Sequence, residues 1–559
     1  MSDEVTGGLD EPEGLQPEPG ALRLAGDGDA WSRADWEKAA AGVLRRAHRL
    51  SDDDPDDAVW AALTHTTYDG IPVTPLGTAD QAVAPAVPRP TRVGGWDVRV
   101  RAFDGTDVVS ELERGATSLW VLAEHVAADT LPAFLDGVLL DVAPVVLETP
   151  TLAHAEALVA MGRLHPASNL GATDDTDLVA FARLAIHAGV RAIVVDGVVV
   201  HEQGASDAQE LAWVLARAAQ VLRILEDAGI EPEQALRLIE LRVAVTDEQF
   251  VSIAKLRAVR VLWARMAELC GVDVTRARVH AVTSRPMTSA YDVHVNLLRT
   301  TVAAFAAGVG GADVITTVPF DEPTGEISTL GRRLARNISA LLVDESHVAR
   351  VADPAGGAYA VERLTDDMCQ AAWAALGRIE ADGEQAFFAR VAEVKARRED
   401  DVAHRRRPLT GLSEFANPAD PAPARRNTAY RYGAAFEELR HNAPEDHVFL
   451  ATLGPVAEHT ARAQFATNLL AAGGIAVDVA GATSGVDVVM AAYDGQAVVC
   501  LAGTDSAYAE WGKEVTAVLR AKGARRVIVA GPPTEGADDS CSFGDDAVAF
   551  LTRTREALR

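Results

Sequence analysis

Apolar and polar positions fall into a repeating arrangement along most of the chain. From Thr117 onward, short apolar runs of strand length end in turn residues, and most are followed by a longer stretch with apolar residues every three or four positions. The runs are TSLWVLAE, PVVLET, HPASNLG, RAIVVDG, IELRVAVT, RVHAVTS, ADVITTV and ARVADPAGGAY, and HPASNLG is the weakest of them. Between most of them lie amphipathic helical patterns such as DAQELAWVLARAAQVLRILEDAG. Eight strand–helix units over roughly 250 residues predict a (β/α)8 TIM barrel, whose chemistry sits at the C-terminal ends of its strands.

The repeat stops at RRRPLTGLSEFANPADPAPARRNTAYRYG, where periodicity is lost and proline accumulates, which predicts a linker. It resumes as HVFLATLG, IAVDVAG, AVVCLAG and RRVIVAG, each followed by a helical stretch, the last being DDAVAFLTRTREAL. Strands and helices alternating at this short spacing predict a flavodoxin-like, doubly wound α/β domain. Ahead of the barrel, WSRADWEKAAAGVLRRAHRL spaces Trp31, Trp36, Ala40, Val43 and Leu44 at helical intervals, and THTTYDGIPVTPL reads as extended. The expected division is an acidic, disordered tail over 1–28, a helical and extended arm over 29–90, the barrel over 91–404, a linker over 405–445 and the small α/β domain over 446–559.

Composition narrows the function classes. Hydrophobic residues are 48% and charged residues 24%, the balance of a globular protein. A formal net charge of -29 opposes binding to phosphate backbones and anionic membranes. The dense basic cluster His404–Pro408, HRRRP, lies between two domains and reads as a solvated linker. The four cysteines, at 270, 369, 500 and 541, form no CxxC pair, so neither a disulfide framework nor a zinc site is expected and a reducing cytoplasm is. No run of about 18 uncharged apolar residues indicates a membrane span. The N-terminus lacks the basic and apolar regions of a secretory signal.

Particular phrases then carry a resemblance. TTYDGIPVTPL (Thr66–Leu76), ISTLGRRLARNISALLVDESHVARVADPAGGAYAVERLT (Ile327–Thr365) and TGLSEFANP are similar to the methylmalonyl-CoA mutase family, from about residue 30 to the end. The resemblance implies a barrel that holds an acyl-CoA thioester in catalytic members. It also implies a C-terminal domain that holds adenosylcobalamin through the histidine of an Asp-x-His-x-x-Gly loop, for a radical rearrangement.

Three places test whether this chain carries that machinery. The stretch VVDGVVVHEQGAS (Val194–Ser206) aligns with a Ser-Gly-Tyr-His-x-x-Glu-x-Gly phrase of catalytic members. Val198 falls on the tyrosine and Val199 on the histidine, while Glu202 and Gly204 match. Valine has no hydrogen to donate to a thioester carbonyl, and losing such a donor costs about 3 kcal/mol of barrier. In RPTRVGGWDV (Arg89–Val98), Trp96 stands at a tyrosine position near the reacting centre and Val98 at a glycine, so Trp96 reads as a plug.

After FLATLG, His459 lands on the cobalt-ligand position, but Ala457 replaces the aspartate and Arg462 the glycine. A metal-bound imidazole needs an acceptor on its other nitrogen, and glycine admits a planar macrocycle where arginine crowds it. The third strand of this domain ends in CLAGTDSAY and the fourth in AGPPTEG, without the small-residue signatures that would admit a nucleotide tail. His459 therefore reads as a surface-loop histidine. His280 reads as a satisfied core residue, since the neighbouring Gln and Gly of the family phrase are Val282 and Arg285. His201-Glu202 has the spacing of a general-base pair but no catalytic counterpart.

Within the family, the resemblance implies a non-catalytic small-subunit homologue with no catalytic, cofactor-binding or metal residue of its own. Its partner would be a homologous large subunit that binds adenosylcobalamin and acyl-CoA, embraced by the Trp-rich arm. Two alternatives stand beside it: an active acyl-CoA mutase of altered specificity, and a stand-alone cobalamin-binding sensor using His459.

Overall fold

The computed structural model describes residues 26, 30–89, 92, 94–103, 105–173, 176–273, 276–423, 425 and 429–559. Nearly all of the predicted tail 1–28 lies outside the described residues.

The chain forms two compact units, and the first comprises the arm up to Thr67 with Pro72–Leu76. Its helix α1 (Arg33–Arg46) starts at a Ser32/Asp35 capping box and ends with Arg45 and Arg46, which suit the negative end of the helix dipole. Ala41, Leu44 and Val59 are buried together, and Trp36 lies against Trp60 at 4.9 Å between ring centroids. Two of the expected helical-face residues are not on that face. Trp31 precedes the Ser32 cap and is 73% exposed, and Val43 sits one position off the buried stripe and is 54% exposed. A short antiparallel pair, His65–Thr66 with Pro72–Val73, closes this unit.

The second unit holds the barrel and the C-terminal domain. Eight parallel strands close the barrel in the order β8-β1-β2-β3-β4-β5-β6-β7. They are β1 (Asp97–Ala102), β2 (Ser118–Leu122), β3 (Val145–Glu148), β4 (Asn169–Ala172), β5 (Arg191–Asp196), β6 (Ile239–Val245), β7 (Val279–Thr283) and β8 (Val314–Thr316). Helices on the outside give these strands two covered faces, which is why the predicted runs were apolar throughout.

The set of eight differs from expectation at both ends. Strand β1, DVRVRA, was not predicted, because its inward-facing Arg99 and Arg101 break an apolar run. ARVADPAGGAY forms no strand: it is a 3-10 turn at Val348–Arg350 and turns leading into a helix. Outside the barrel, α2 (Asp207–Asp227) packs on α3 (Gln249–Leu269) and α4 (Tyr359–Asp382), and Trp213 of α2 stacks on Phe387 of α5 (Glu384–Ala403). Between α2 and α3, the fully buried Lys255 ammonium bonds Asp207 at 2.9 Å and Glu210 at 2.6 Å.

Described residues at both ends of 405–445 are packed, and the cluster His404–Pro408 is not wholly the solvated linker expected of it. Arg405 is buried and paired with Glu414 at 3.0 Å, and Arg407 pairs with Glu248. Leu412, Phe436 and Leu439 join the core of the C-terminal domain, together with Ala290 and Tyr291 from the loop after β7. That domain has the parallel order β10-β9-β11-β12-β13, from β9 (Val448–Thr452), β10 (Val477–Val479), β11 (Val498–Ala502), β12 (Arg526–Ala530) and β13 (Asp539–Cys541). This is the flavodoxin-like 2-1-3-4-5 order. Alternate residues serve its two cores: Leu450, Cys500 and Ile528 on one face, Phe449, Val499 and Val527 on the other. The short β13 was not predicted, since DSC carries no apolar run.

Candidate functional site

In a barrel of this class the site to inspect is the C-terminal mouth. Strand β5 ends at Asp196, and the chain turns at once into a short helical turn, Val198–His201. Asp196 accepts the Val198 N–H at 2.8 Å and pairs with Arg242 at 2.8 Å. Gly197 is required there, because a Cβ would lie 2.8 Å from both Glu210 and Val214.

The turn separates the valines. Val198, at the tyrosine position, is buried and joins Trp120, Ala244, Val282 and Val318 in one apolar cluster inside the barrel. Val282, expected at a glutamine position of the family phrase, thus meets Val198 in one plug. Val199 points outward and is 47% exposed.

Most charged residues around this plug pair with one another, while Trp120 Nε1 and one nitrogen each of Arg101, Arg242 and Arg285 are buried without a hydrogen-bond partner. Trp120, 2% exposed, has the guanidiniums of Arg242 and Arg101 at 3.9 Å and 5.5 Å from its ring centroid. Arg101 also reaches Glu322 at 3.3 Å, and Arg285 bridges Glu322 at 2.9 Å and Glu202 at 2.5 Å. Burial raises the pKa of Glu148 and of Asp196 above the ordinary carboxylate range, and Arg242 only partly offsets it.

His280 is fully buried edge-on to Trp120. Its Nδ1 faces Arg99 and Arg242 donors at 3.3 Å each, so Nε2 carries the proton and donates to Thr316 Oγ1 at 2.8 Å. Burial, and then the guanidiniums of Arg99, Arg242 and Arg278, hold its pKa well below the ordinary histidine range. It is therefore neutral near pH 7, with both nitrogens occupied. His201 is likewise buried, between Ser284 Oγ at 2.7 Å and Glu210 at 3.4 Å, while its neighbour Glu202 turns away to Arg285. The two do not form an acid–base pair.

Below this layer, Arg99 pairs with Glu240 at 2.5 Å and Arg278 reaches the same carboxylate at 3.1 Å. Burial alone would raise Glu240, but Arg99 and Arg278 outweigh it and hold the pKa at about 2. A cavity of about 580 Å³ opens at the opposite, N-terminal end of the barrel, with Arg191, Arg276 and Asp313 in its wall. The axis between that cavity and the mouth is filled by Arg99, Glu240, His280 and Trp120, all buried. Trp96 lines this N-terminal cavity, not the mouth. It packs on Gly308 and donates to Ser339 at 3.1 Å, so the plug expected of Trp96 is supplied by Trp120.

The second place to inspect is the C-terminal edge of the β9–β13 sheet, at the switch point between β9 and β11. His459 is not on a loop. Pro455 caps a helix, α6 (Val456–Ala472), whose first turn contains His459, and the side chain is buried with Nδ1–H donating to Gly454 O at 3.1 Å. Alanine, glutamate and alanine around it favour helix over loop.

Three residues on, Arg462 reaches across the edge to Gly503 O at 2.7 Å and Asp505 at 2.6 Å. Tyr508, 5.1 Å from that guanidinium, accepts the Gly503 N–H at 3.0 Å and donates to Ala530 O at 2.8 Å. Thr483 donates to Thr452 O at 2.7 Å and accepts the Gly454 N–H at 3.1 Å. These side chains occupy the crevice and use its backbone groups, so the residues present do not fit a corrinoid with its nucleotide tail. Among the described residues no group of three His, Cys, Asp or Glu side chains could hold a metal ion, and no helix is long and apolar enough to cross a membrane.

The plug was missed in the sequence because its members lie on five different segments. The available signal was charge in strands: Arg99, Arg101, Glu240 and Arg242 all sit in β1 or β6.

The family model described as methylmalonyl-CoA mutase matches residues 171–485. The chain is similar to the methylmalonyl-CoA mutase small subunit of Streptomyces virginiae, 39% identical over 96% of this chain and 98% of that one. It is 33% identical to the small subunit from Propionibacterium freudenreichii subsp. shermanii, over 97% of each chain. The large subunit of the Streptomyces virginiae enzyme is 33% identical over only 40% of this chain and 32% of its own length. With the barrel, the flavodoxin-like sheet and near-complete relatives in agreement, the chain belongs to the methylmalonyl-CoA mutase family.

Proposed function

We propose that this chain is the non-catalytic small subunit of a two-subunit, adenosylcobalamin-dependent methylmalonyl-CoA mutase. A homologous large subunit holds the cofactor and the acyl-CoA and interconverts succinyl-CoA and methylmalonyl-CoA. The observation that carries this reading is the plugged barrel: Val198 and Val282 close on Trp120, over whose ring the Arg242 and Arg101 guanidiniums lie. A thioester would have to displace a packed core and several buried ion pairs to reach the axis. The crowded edge of the C-terminal sheet supports the same reading, since Arg462 and Tyr508 take up backbone carbonyls there that a cofactor would otherwise meet.

The subunit's role is structural. The arm, with Trp31 and Val43 exposed, is the segment we assign to grip the large subunit. The complex works in the cytoplasm, which the four free cysteines favour.

An absorbance titration of the purified chain with adenosylcobalamin tests the proposal. No spectral change is expected, and mutase activity should appear only when a large subunit is added. Saturable binding that is lost in His459→Ala would refute it in favour of a cobalamin-binding protein, and activity of the chain alone would make it a mutase. Deleting residues 1–70 should abolish co-purification with the large subunit; unchanged assembly would remove the arm from the account.

A further inference from the structure

In a chain of net charge -29, one cavity collects arginines. It has a volume of about 410 Å³ and lies between the segment after β1 and the helix Thr329–Ala340 that follows β8. Arg114, Arg332, Arg333 and Arg336 line it, against the carboxylates of Asp107 and Glu111.

The two carboxylates are already engaged. Asp107 caps a helix by accepting the Ser110 N–H at 3.0 Å, and Glu111 pairs with Arg336 and lies 3.7 Å from Arg332. Arg114 and Arg333 are exposed and have no carboxylate partner among the described residues. Arg336 is 5% exposed, and its Nε is buried without a hydrogen-bond partner. Thr329 and Leu330, also in the wall, begin a twelve-residue helix whose Gly331 N–H is accepted by Ser328 Oγ at 2.9 Å and whose start has the Asp321 carboxylate against it, so only the Thr329 and Leu330 N–H groups stay without an acceptor in the helix. A helix start and guanidiniums converging on one cavity at the C-terminal side of a TIM barrel suit a phosphoryl group.

We propose that this cavity is a binding site for the phosphate groups of a small molecule. The four guanidiniums together present more positive charge than Asp107, Glu111 and the Asp321 carboxylate at the helix start neutralise. The volume has room for more than a single phosphate. The cavity shares no lining residue with the plug, and Glu111 and Arg332 also line a neighbouring pocket with Arg101 and Glu322.

Isothermal titration of the full chain with inorganic phosphate, pyrophosphate, ADP and adenosine tests this, at low and at high salt. Pyrophosphate should bind at one site, with affinity falling as salt rises. Arg114→Gln with Arg333→Gln should weaken it about tenfold by removing charge-assisted hydrogen bonds. Both residues are exposed, so the thermal midpoint of the double variant should match the parent. ADP binding no tighter than pyrophosphate identifies an inorganic anion as the ligand, and tighter ADP binding identifies a nucleotide. No saturable binding of phosphate or pyrophosphate, or an affinity unchanged in the double variant, overturns the proposal, as does adenosine binding as well as ADP.

Discussion

Replacing Glu240 by glutamine removes one charge from the centre of the barrel while keeping the shape of the side chain. Glu240 is fully buried and serves Arg99, itself fully buried, and Arg278. The variant leaves Arg99 with only Asp97, 3.8 Å away, as a counter-charge. Two routes give the cost. The carboxylate's pKa falls from 4.5 to about 2 on folding, and a shift of that size corresponds to about 3 kcal/mol. Breaking a buried pair by removing one partner costs about 3–5 kcal/mol. They agree on about 3 kcal/mol, a large share of a typical folding free energy of about 5–15 kcal/mol.

Because the folded pKa is depressed, the unfolded chain binds more protons between pH 4.5 and about 2. The stabilisation is complete above 4.5 and is lost as pH falls toward 2. Urea unfolding of parent and variant, followed by tryptophan fluorescence, should show a difference of about 3 kcal/mol near neutrality that narrows on acidification. A difference under about 1 kcal/mol, the scale of an exposed pair, would refute the reasoning. So would a gap that stays constant as pH falls below 4.5.

Trp120→Ala should destabilise by about 3–5 kcal/mol, the cost of emptying a large buried site, and should lower the urea midpoint without giving the isolated chain mutase activity. Asp69 has the opposite pH signature to Glu240. Its carboxylate accepts the Ser206 hydroxyl and the Ala208 N–H, and burial, reinforced by Asp207, raises its pKa from 3.8 to about 6. The folded state therefore binds more protons in that window, so Asp69 favours folding as pH falls from 6 to 3.8. Asp69→Asn should flatten that slope in thermal midpoints measured across the window; an unchanged slope would show that another group titrates there.

Much of the fold was legible because parallel strands covered on both faces leave an apolar run that stands out against the helices around it. RAIVVDG, IELRVAVT and RVHAVTS contain barrel strands β5, β6 and β7, and HVFLATLG contains β9. The failures share a cause. DVRVRA was passed over because the partners that make its arginines acceptable inside, Glu240 for Arg99 and Glu322 for Arg101, lie 141 and 221 residues away. ARVADPAGGAY has apolar residues at strand spacing, but its closing glycines and proline suit the turns it forms.

At the candidate site, chemistry was readable and direction was not. The residue types at Val198, Val199 and Val282 already lacked donors. Which of them enters the barrel depends on the helical turn after Gly197, and that turn buries Val198 and His201 while exposing Val199. His459 likewise carried the right side chain, but the helix beginning at Val456 turned a loop histidine into a buried one.

By itself, then, the sequence determined the order of the two α/β layers, the family phrases and the lack of side-chain donors at Val198, Val199 and Val282, because these are properties of residue type and local periodicity. Tertiary structure decided that Trp120 and not Trp96 fills the axis, that the mouth's arginines and carboxylates share one network, and that four arginines share one cavity. Those outcomes depend on which residues from distant strands and helices meet within a few ångströms, and a parallel barrel brings its neighbours together only across long crossover connections.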